Sequence, residues 1–257
     1  MSAVRTASAL ASPVRRATLV LLLYSLFWSG LAGAQTVQYI LRQADQARGN
    51  LEGVTWEVML ESLEQTRTRT MTFDIKARGF DILGQSLAPP KYEGNKVLML
   101  SGNMWFYKPG LSKPVPISRR QRLLGTAAYG DIAATNYAED YEAKQLTDEE
   151  VNGEPCYVFD LTSKDSKATY DRIKYWIAKD RLVGVKAEYF TVSGKQIKSA
   201  TMEYANTVNV QDTPRPFISR IVIADELMSS DVTTLNFHHP NTQALPHSVF
   251  DLNLLRK

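Results

Sequence analysis

Met104-Trp105-Phe106-Tyr107-Lys108-Pro109-Gly110, followed by Leu111-Ser112-Lys113-Pro114-Val115-Pro116-Ile117-Ser118, is the stretch on which the reading of this 257-residue chain turns. Four consecutive large apolar or aromatic residues suit a strand covered on both faces. The prolines that follow lack the backbone donor a ladder needs, so pairing stops there. The chain then carries a basic cluster, Arg119-Arg120-Gln121-Arg122, and a small-residue segment from Leu123 to Asp131. The order is strand, hinge, basic cluster, small residues. It describes a chain that leaves a sheet and reaches a segment able to close over something.

Working outward, strand signals recur on both sides. Val54, Trp56, Val58 and Leu60 alternate with polar or flexible neighbours, as do Met71, Phe73, Ile75 and Ala77. That period of two belongs to strands with one apolar face. Downstream, Tyr157, Phe159 and Leu161 share a face, as do Ile173, Tyr175 and Ile177, and Val183, Val185, Ala187 and Tyr189. Asn152-Gly153 reads as a hairpin turn. Val192-Ser193-Gly194-Lys195 is a second turn, and Ile218–Ala224 and Val232–Phe237 are the last clear strands. Many short strands joined by turns predict one large, strongly curved antiparallel sheet. The one clear helix runs from Thr36 to Arg48, with an apolar stripe at helical spacing and Gly49 where a C-cap belongs. Residues 119–135 read as short helical turns or a flap, and the acidic stretch 138–150 as a solvated loop.

Residues 1–34 read as a cleaved secretory signal. Arg5, Arg15 and Arg16 precede an apolar run from Ala17 to Trp28, and Ala32-Gly33-Ala34 fits a signal-peptidase site. The run is shorter than the roughly 20 residues that span a bilayer. The expectation is a periplasmic protein with a single domain over residues 35–257. The chain has 30 Lys and Arg against 27 Asp and Glu. The signal carries three of the arginines and no acid, so the remainder has 27 of each sign. Nucleic-acid binding loses its electrostatic support. The lone Cys156 allows no intrachain disulfide and reads as a small buried residue. His238, His239 and His247 do not form a metal-ligand set, because adjacent histidines in a strand point to opposite faces. No nucleophile elbow, Gly-rich phosphate loop or C-x-x-C is present. No enzyme activity, cofactor or metal is expected.

Three blocks together resemble the LolA-like outer-membrane lipoprotein-sorting family. They are Met104-Trp105-Phe106-Tyr107-Lys108-Pro109 with Ile117-Ser118-Arg119-Arg120-Gln121-Arg122, then Val151–Leu161, then Tyr175-Trp176-Ile177-Ala178-Lys179-Asp180 leading to Lys186–Phe190. The resemblance spans roughly Leu51 to the C-terminus. It implies a mainly β (α+β) fold: an incomplete β-barrel whose apolar concave side is closed by an N-terminal helix and short helices. It also implies a carrier that takes an acylated lipid or lipoprotein from an inner-membrane transporter to an outer-membrane acceptor.

On that reading Trp56, Val58, Phe73, Met104, Phe106, Trp176 and Tyr189 line the cavity. Arg119, Arg120 and Arg122 belong to the flap or meet a partner, with lipid phosphate or an acidic surface as the matching chemistry. Each acyl CH₂ moved into such a cavity gains about 0.8 kcal/mol, so cargo with a variable polar part still binds. A sensor of lipid or lipoprotein, acting on a membrane partner without transport, is the alternative on the same scaffold.

Overall fold

The computed structural model describes residues 36–256, Ser229 excepted. The expected signal over residues 1–34 lies outside them. The chain divides between Tyr39 and Ile40, and among the described residues the β structure belongs to the second unit, Ile40–Lys257. Helix α1 covers residues 36–46, and Thr36 is already inside it. Gly49, three residues beyond, has φ +98°, a conformation open to glycine at no steric cost. Ile40, Leu41, Ala44 and Ala47 form its buried stripe.

An antiparallel meander follows, built from β1 (Val54–Glu64), β2 (Arg67–Arg78), β3 (Asp81–Ala88), β4 (Lys96–Leu100), β5 (Asn103–Tyr107) and β6 (Val115–Ile117). The chain then leaves the sheet in a small hairpin, β7 (Arg122–Leu124) and β8 (Ala127–Ala128), and a short helix α2 (Tyr137–Asp140). It re-enters through β9 (Tyr141–Gln145), β10 (Glu149–Val151), β11 (Glu154–Ser163), β12 (Arg172–Ala178), β13 (Gly184–Phe190) and β14 (Gln196–Glu203). A separate hairpin, β15 (Asn206–Val210) with β16 (Thr213–Phe217), precedes β17 (Arg220–Asp225) and β18 (Val232–Thr242). β18 pairs with both β17 and β1, and so joins the two halves into one sheet of 14 strands. One edge is β6. At the other, β9 and β10 both pair with β11, and the two edges do not meet. The sheet is an incomplete barrel.

Paired residues lie on the same face of a sheet, so the register traces each face across the molecule. Trp56 faces Ile75, Ile75 faces Gly84, Gly84 faces Val97, and Val97 faces Phe106. In the other direction Val58 faces Phe237, and Leu235 faces Ile221. Ile221 faces Met202, Ala200 faces Ala187, and Ala187 faces Tyr175. All of these belong to the concave face. Burying each large apolar side chain there contributes about 1.5–3 kcal/mol.

The opposite face is covered locally. Behind β3–β5 the C-terminal segment packs Phe250 and Leu255 onto Leu98, with Leu83, Leu100 and Tyr107 around them. Among the described residues no helix is long and apolar enough to cross a membrane.

One local expectation changes. The acidic stretch 138–150 is not a solvated loop. It forms α2 and the edge strands β9 and β10, because its carboxylates have cationic or N–H partners: Asp140 with Arg119, Asp148 with Lys179, and Glu149 with Lys174 and Trp176. Pro214 and Pro216 lie inside β16, on a hairpin outside the main sheet.

Candidate binding site beneath the hairpin flap

The concave face is filled unevenly. Over β11–β14 it is packed with tyrosines. Tyr170, from the loop before β12, stacks on Tyr189 at 4.0 Å between ring centroids, and Tyr137 of α2 meets Tyr175 edge-on at 5.3 Å. Burial pushes the Tyr170, Tyr175 and Tyr189 hydroxyls well above their ordinary range. Over β1 the filling is Phe217, 5.7 Å from Trp56, with Gly49 passing so close to the indole that no Cβ fits.

Over β2–β5 space remains. A cavity of about 200 Å³ lies between the sheet and the β7–β8 hairpin. Met71, Phe73, Val97 and Phe106 form its floor, Leu123, Leu124 and Tyr129 its roof, and Arg69, Tyr92, Asn95 and Lys96 its mouth. Burial raises the Tyr129 hydroxyl above its ordinary value.

The roof is a flap with a pinned tip and an anchored base. At the tip Gly125 has φ +54°, and a Cβ there would stand 2.0 Å from Ser62 Oγ and 2.3 Å from Thr233 Oγ1. The Thr126 N–H donates to Thr233 Oγ1 at 2.9 Å, and its hydroxyl donates to the Ile223 carbonyl at 3.1 Å. Lys198 donates to the Thr126 carbonyl. Ser62, Thr233 and Lys198 are thus polar points on the concave face, and each sits under the flap tip.

At the base, Arg119 is 6% exposed and donates to Asp140 at 2.8 Å and to the Lys167 carbonyl at 2.6 Å. Arg120 donates to Asp171 at 2.6 Å and to the Ala168 carbonyl at 2.7 Å, and Arg122 pairs with Glu64. The three arginines therefore tie the flap to its surroundings. Each guanidinium thus has a carboxylate partner within the chain.

Of the seven expected lining residues, Trp56, Val58, Phe73, Met104, Phe106 and Tyr189 share the concave face. Phe73 and Phe106 line the cavity. Trp56, Val58 and Tyr189 lie where the face is already filled. Met104 borders a separate, wider groove of about 450 Å³ between β5, β6 and Ser166-Lys167, with Trp105, Pro116 and Ile117 also in its wall.

Trp176 is a correction. It neighbours Tyr175 in β12 and so points to the other face. There its indole N–H donates to Glu149 at 2.8 Å, and Lys174 and Lys186 flank the ring at 4.5 and 4.3 Å. The sequence reading missed Met71, Val97, Leu124 and Tyr129. The first two were legible as alternating strand positions, and the last two only as members of the closing segment.

A family model described as an uncharacterized protein family matches residues 82–257. Among solved structures, a LolA superfamily protein from Nitrosomonas europaea is 29% identical with a TM-score of 0.74, covering 83% of this chain and 96% of that one. The chain belongs to the family whose model matches residues 82–257, and it is LolA-like. Two further structures share the LolA-like fold. One is an outer-membrane lipoprotein-sorting protein domain from Vibrio parahaemolyticus, 19% identical over 87% of this chain and 100% of that one, with a TM-score of 0.73. The other is a DUF1329 family protein from Desulfovibrio piger, 18% identical over 86% and 98%, with a TM-score of 0.72. No curated protein sequence matches the LolA-like chain.

Proposed function

We propose that this protein is an exported carrier that holds the acyl chains of a lipid or lipoprotein on its concave face, beneath the β7–β8 flap, and moves them through the periplasm toward the outer membrane. The observation that carries this reading is the cavity with Phe73, Val97, Phe106 and Leu124 in its wall and polar residues at its mouth, roofed by a hairpin pinned through a few polar bonds. Its volume of about 200 Å³ is below the roughly 300–1,000 Å³ of sites that enclose a drug-sized ligand. Loading therefore requires the flap to lift, and the chain then occupies the floor that the flap has left. Binding rests on apolar transfer at about 0.8 kcal/mol per CH₂, which tolerates varied head groups. Delivery by an inner-membrane transporter and receipt by an outer-membrane acceptor complete the proposed route. Cleavage after Ala34 is part of the same proposal.

The test is native mass spectrometry with lipid extraction on protein taken from a periplasm. A stoichiometric acyl-bearing ligand is expected. Phe106→Glu puts a charge on the cavity floor at a half-buried position, so the variant is expected to stay folded and lose the ligand. An apo mass that no added lipid or lipopeptide shifts overturns the carrier and leaves a filled scaffold for protein contacts.

A further inference from the structure

Most exposed large apolar side chains of residues 40–256 are gathered at one end of the sheet, Leu254 of the C-terminal segment standing apart. The register defines that end. β13 finishes at Phe190 beside the start of β14, and Lys198 of β14 faces Asp225 at the finish of β17. Val232, at the start of β18, faces Leu63 at the finish of β1. Thr72 near the start of β2 faces Ala88 at the finish of β3, and Lys96 at the start of β4 faces Tyr107 at the finish of β5. The connections 65–66, 89–95, 108–114, 191–195 and 226–231 therefore form one rim.

Leu63, Leu111, Val192, Leu227 and Met228 stand on that rim, Val192 being 87% exposed. Turns at the other end, such as those at Gly79, Gly102 and Asn152-Gly153, expose no large apolar side chain among the described residues.

Charge is distributed unevenly among these loops. Leu111 lies between Lys108 and Lys113 in a loop without an acid, and Val192 shares its turn with Lys195 and no acid. None of these three lysines has an ion-pair partner among the described residues. The rim also carries acids: Glu93 stands beside Lys91 in the 89–95 connection, and those at the 226–231 turn accept hydrogen bonds within the chain. Asp225 accepts from the Leu227 and Met228 N–H groups at 2.7 and 2.9 Å, Glu226 accepts from Ser199 at 2.6 Å, and Asp231 accepts from the Gln65 N–H at 3.3 Å. Asp225 thus braces the turn that carries the two apolar tips.

From this arrangement we infer that the rim is a docking surface for an anionic lipid bilayer. A protein partner calls for a contiguous apolar patch. Here single apolar tips stand on separate loops with free lysines between them, which is the composition that rests in a headgroup layer. The mouth of the cavity, formed by Arg69, Tyr92, Asn95 and Lys96, opens at the same rim. Docking therefore brings the candidate site to the lipid. The carrier reading supplies the purpose of docking, while the docking itself is measured without it.

The experiment is co-sedimentation with mixed phosphatidylethanolamine–phosphatidylglycerol vesicles and with phosphatidylcholine vesicles. The parent is expected to bind the anionic vesicles and to release in high salt. Val192→Glu with Met228→Glu, both at exposed positions, is expected to weaken partitioning by about tenfold or more. Lys108→Gln with Lys113→Gln is expected to cost about fivefold per lysine on anionic vesicles only. Absence of binding to either vesicle overturns the inference and assigns the rim to a protein partner. Binding that both double variants retain also overturns it. Phe106→Glu is the separating control, because it removes the carried lipid and leaves vesicle binding intact.

Discussion

Asp45, on the buried side of α1, accepts the Ala138 N–H at 2.9 Å, and burial pushes its carboxyl up to about 6 despite the nearby Arg48 guanidinium. The folded protein therefore holds this proton more tightly than the unfolded chain does. The stabilisation is complete below the ordinary carboxylate value of 3.8 and is lost as pH rises through about 6. Asp45→Asn keeps an acceptor for Ala138 and removes the titration. Relative to that variant, the parent is expected to lose on the order of 2–3 kcal/mol between about pH 4 and 7. Urea denaturation at the two pH values checks it, and parallel curves for parent and variant would show that Asp45 titrates normally. Trp176 gives a lesson at the same scale. The sequence reading assigns Trp176 to the cavity, while alternation puts it on the face opposite Ile173, Tyr175 and Ile177. The missing information was which face is concave, and only cross-strand register supplies that.

The β7–β8 hairpin is the element on which ligand access depends. It was legible as a closing segment through Gly125 and its neighbouring alanines. Its pinning was not legible, because Ser62, Thr233 and Lys198 are far apart in sequence and carry no pattern of their own. The close approach of Gly125 to Ser62 and Thr233 makes the tip sensitive to one methyl group. Gly125→Ala adds the left-handed backbone penalty of about 1–2 kcal/mol to that clash, and the tip lifts. The expected result is a lower melting temperature and stronger fluorescence from an apolar dye, with the far-ultraviolet spectrum of the sheet unchanged. Thr126→Val removes the hydroxyl bond to Ile223 without the backbone strain, at about 1 kcal/mol, and is expected to show the same dye response more weakly. A Gly125→Ala protein that binds dye no better than the parent would mean that the tip does not hold the flap down.

At the scale of the whole molecule, the alternating strands and their order were readable because apolar periodicity and turn residues are local signals. The division of labour between the two halves of the sheet was not readable, since it depends on what the chain folds back onto each half. Tyr137, Tyr170, Tyr175 and Tyr189 fill the concave face over β11–β13, while β2–β5 keep their cavity beneath the flap. Local opening is easiest where apolar packing is thinnest. Backbone hydrogen exchange is therefore expected to be slowest in β11–β13 and faster in β4, β5 and residues 122–129. Addition of a palmitoylated lipopeptide is expected to slow exchange in β3–β5 and in the flap hairpin, and to leave β12 and β13 as they were. Protection gained instead around Tyr170 and Tyr189 would place the cargo in the tyrosine-packed half, which would then have to repack to admit it.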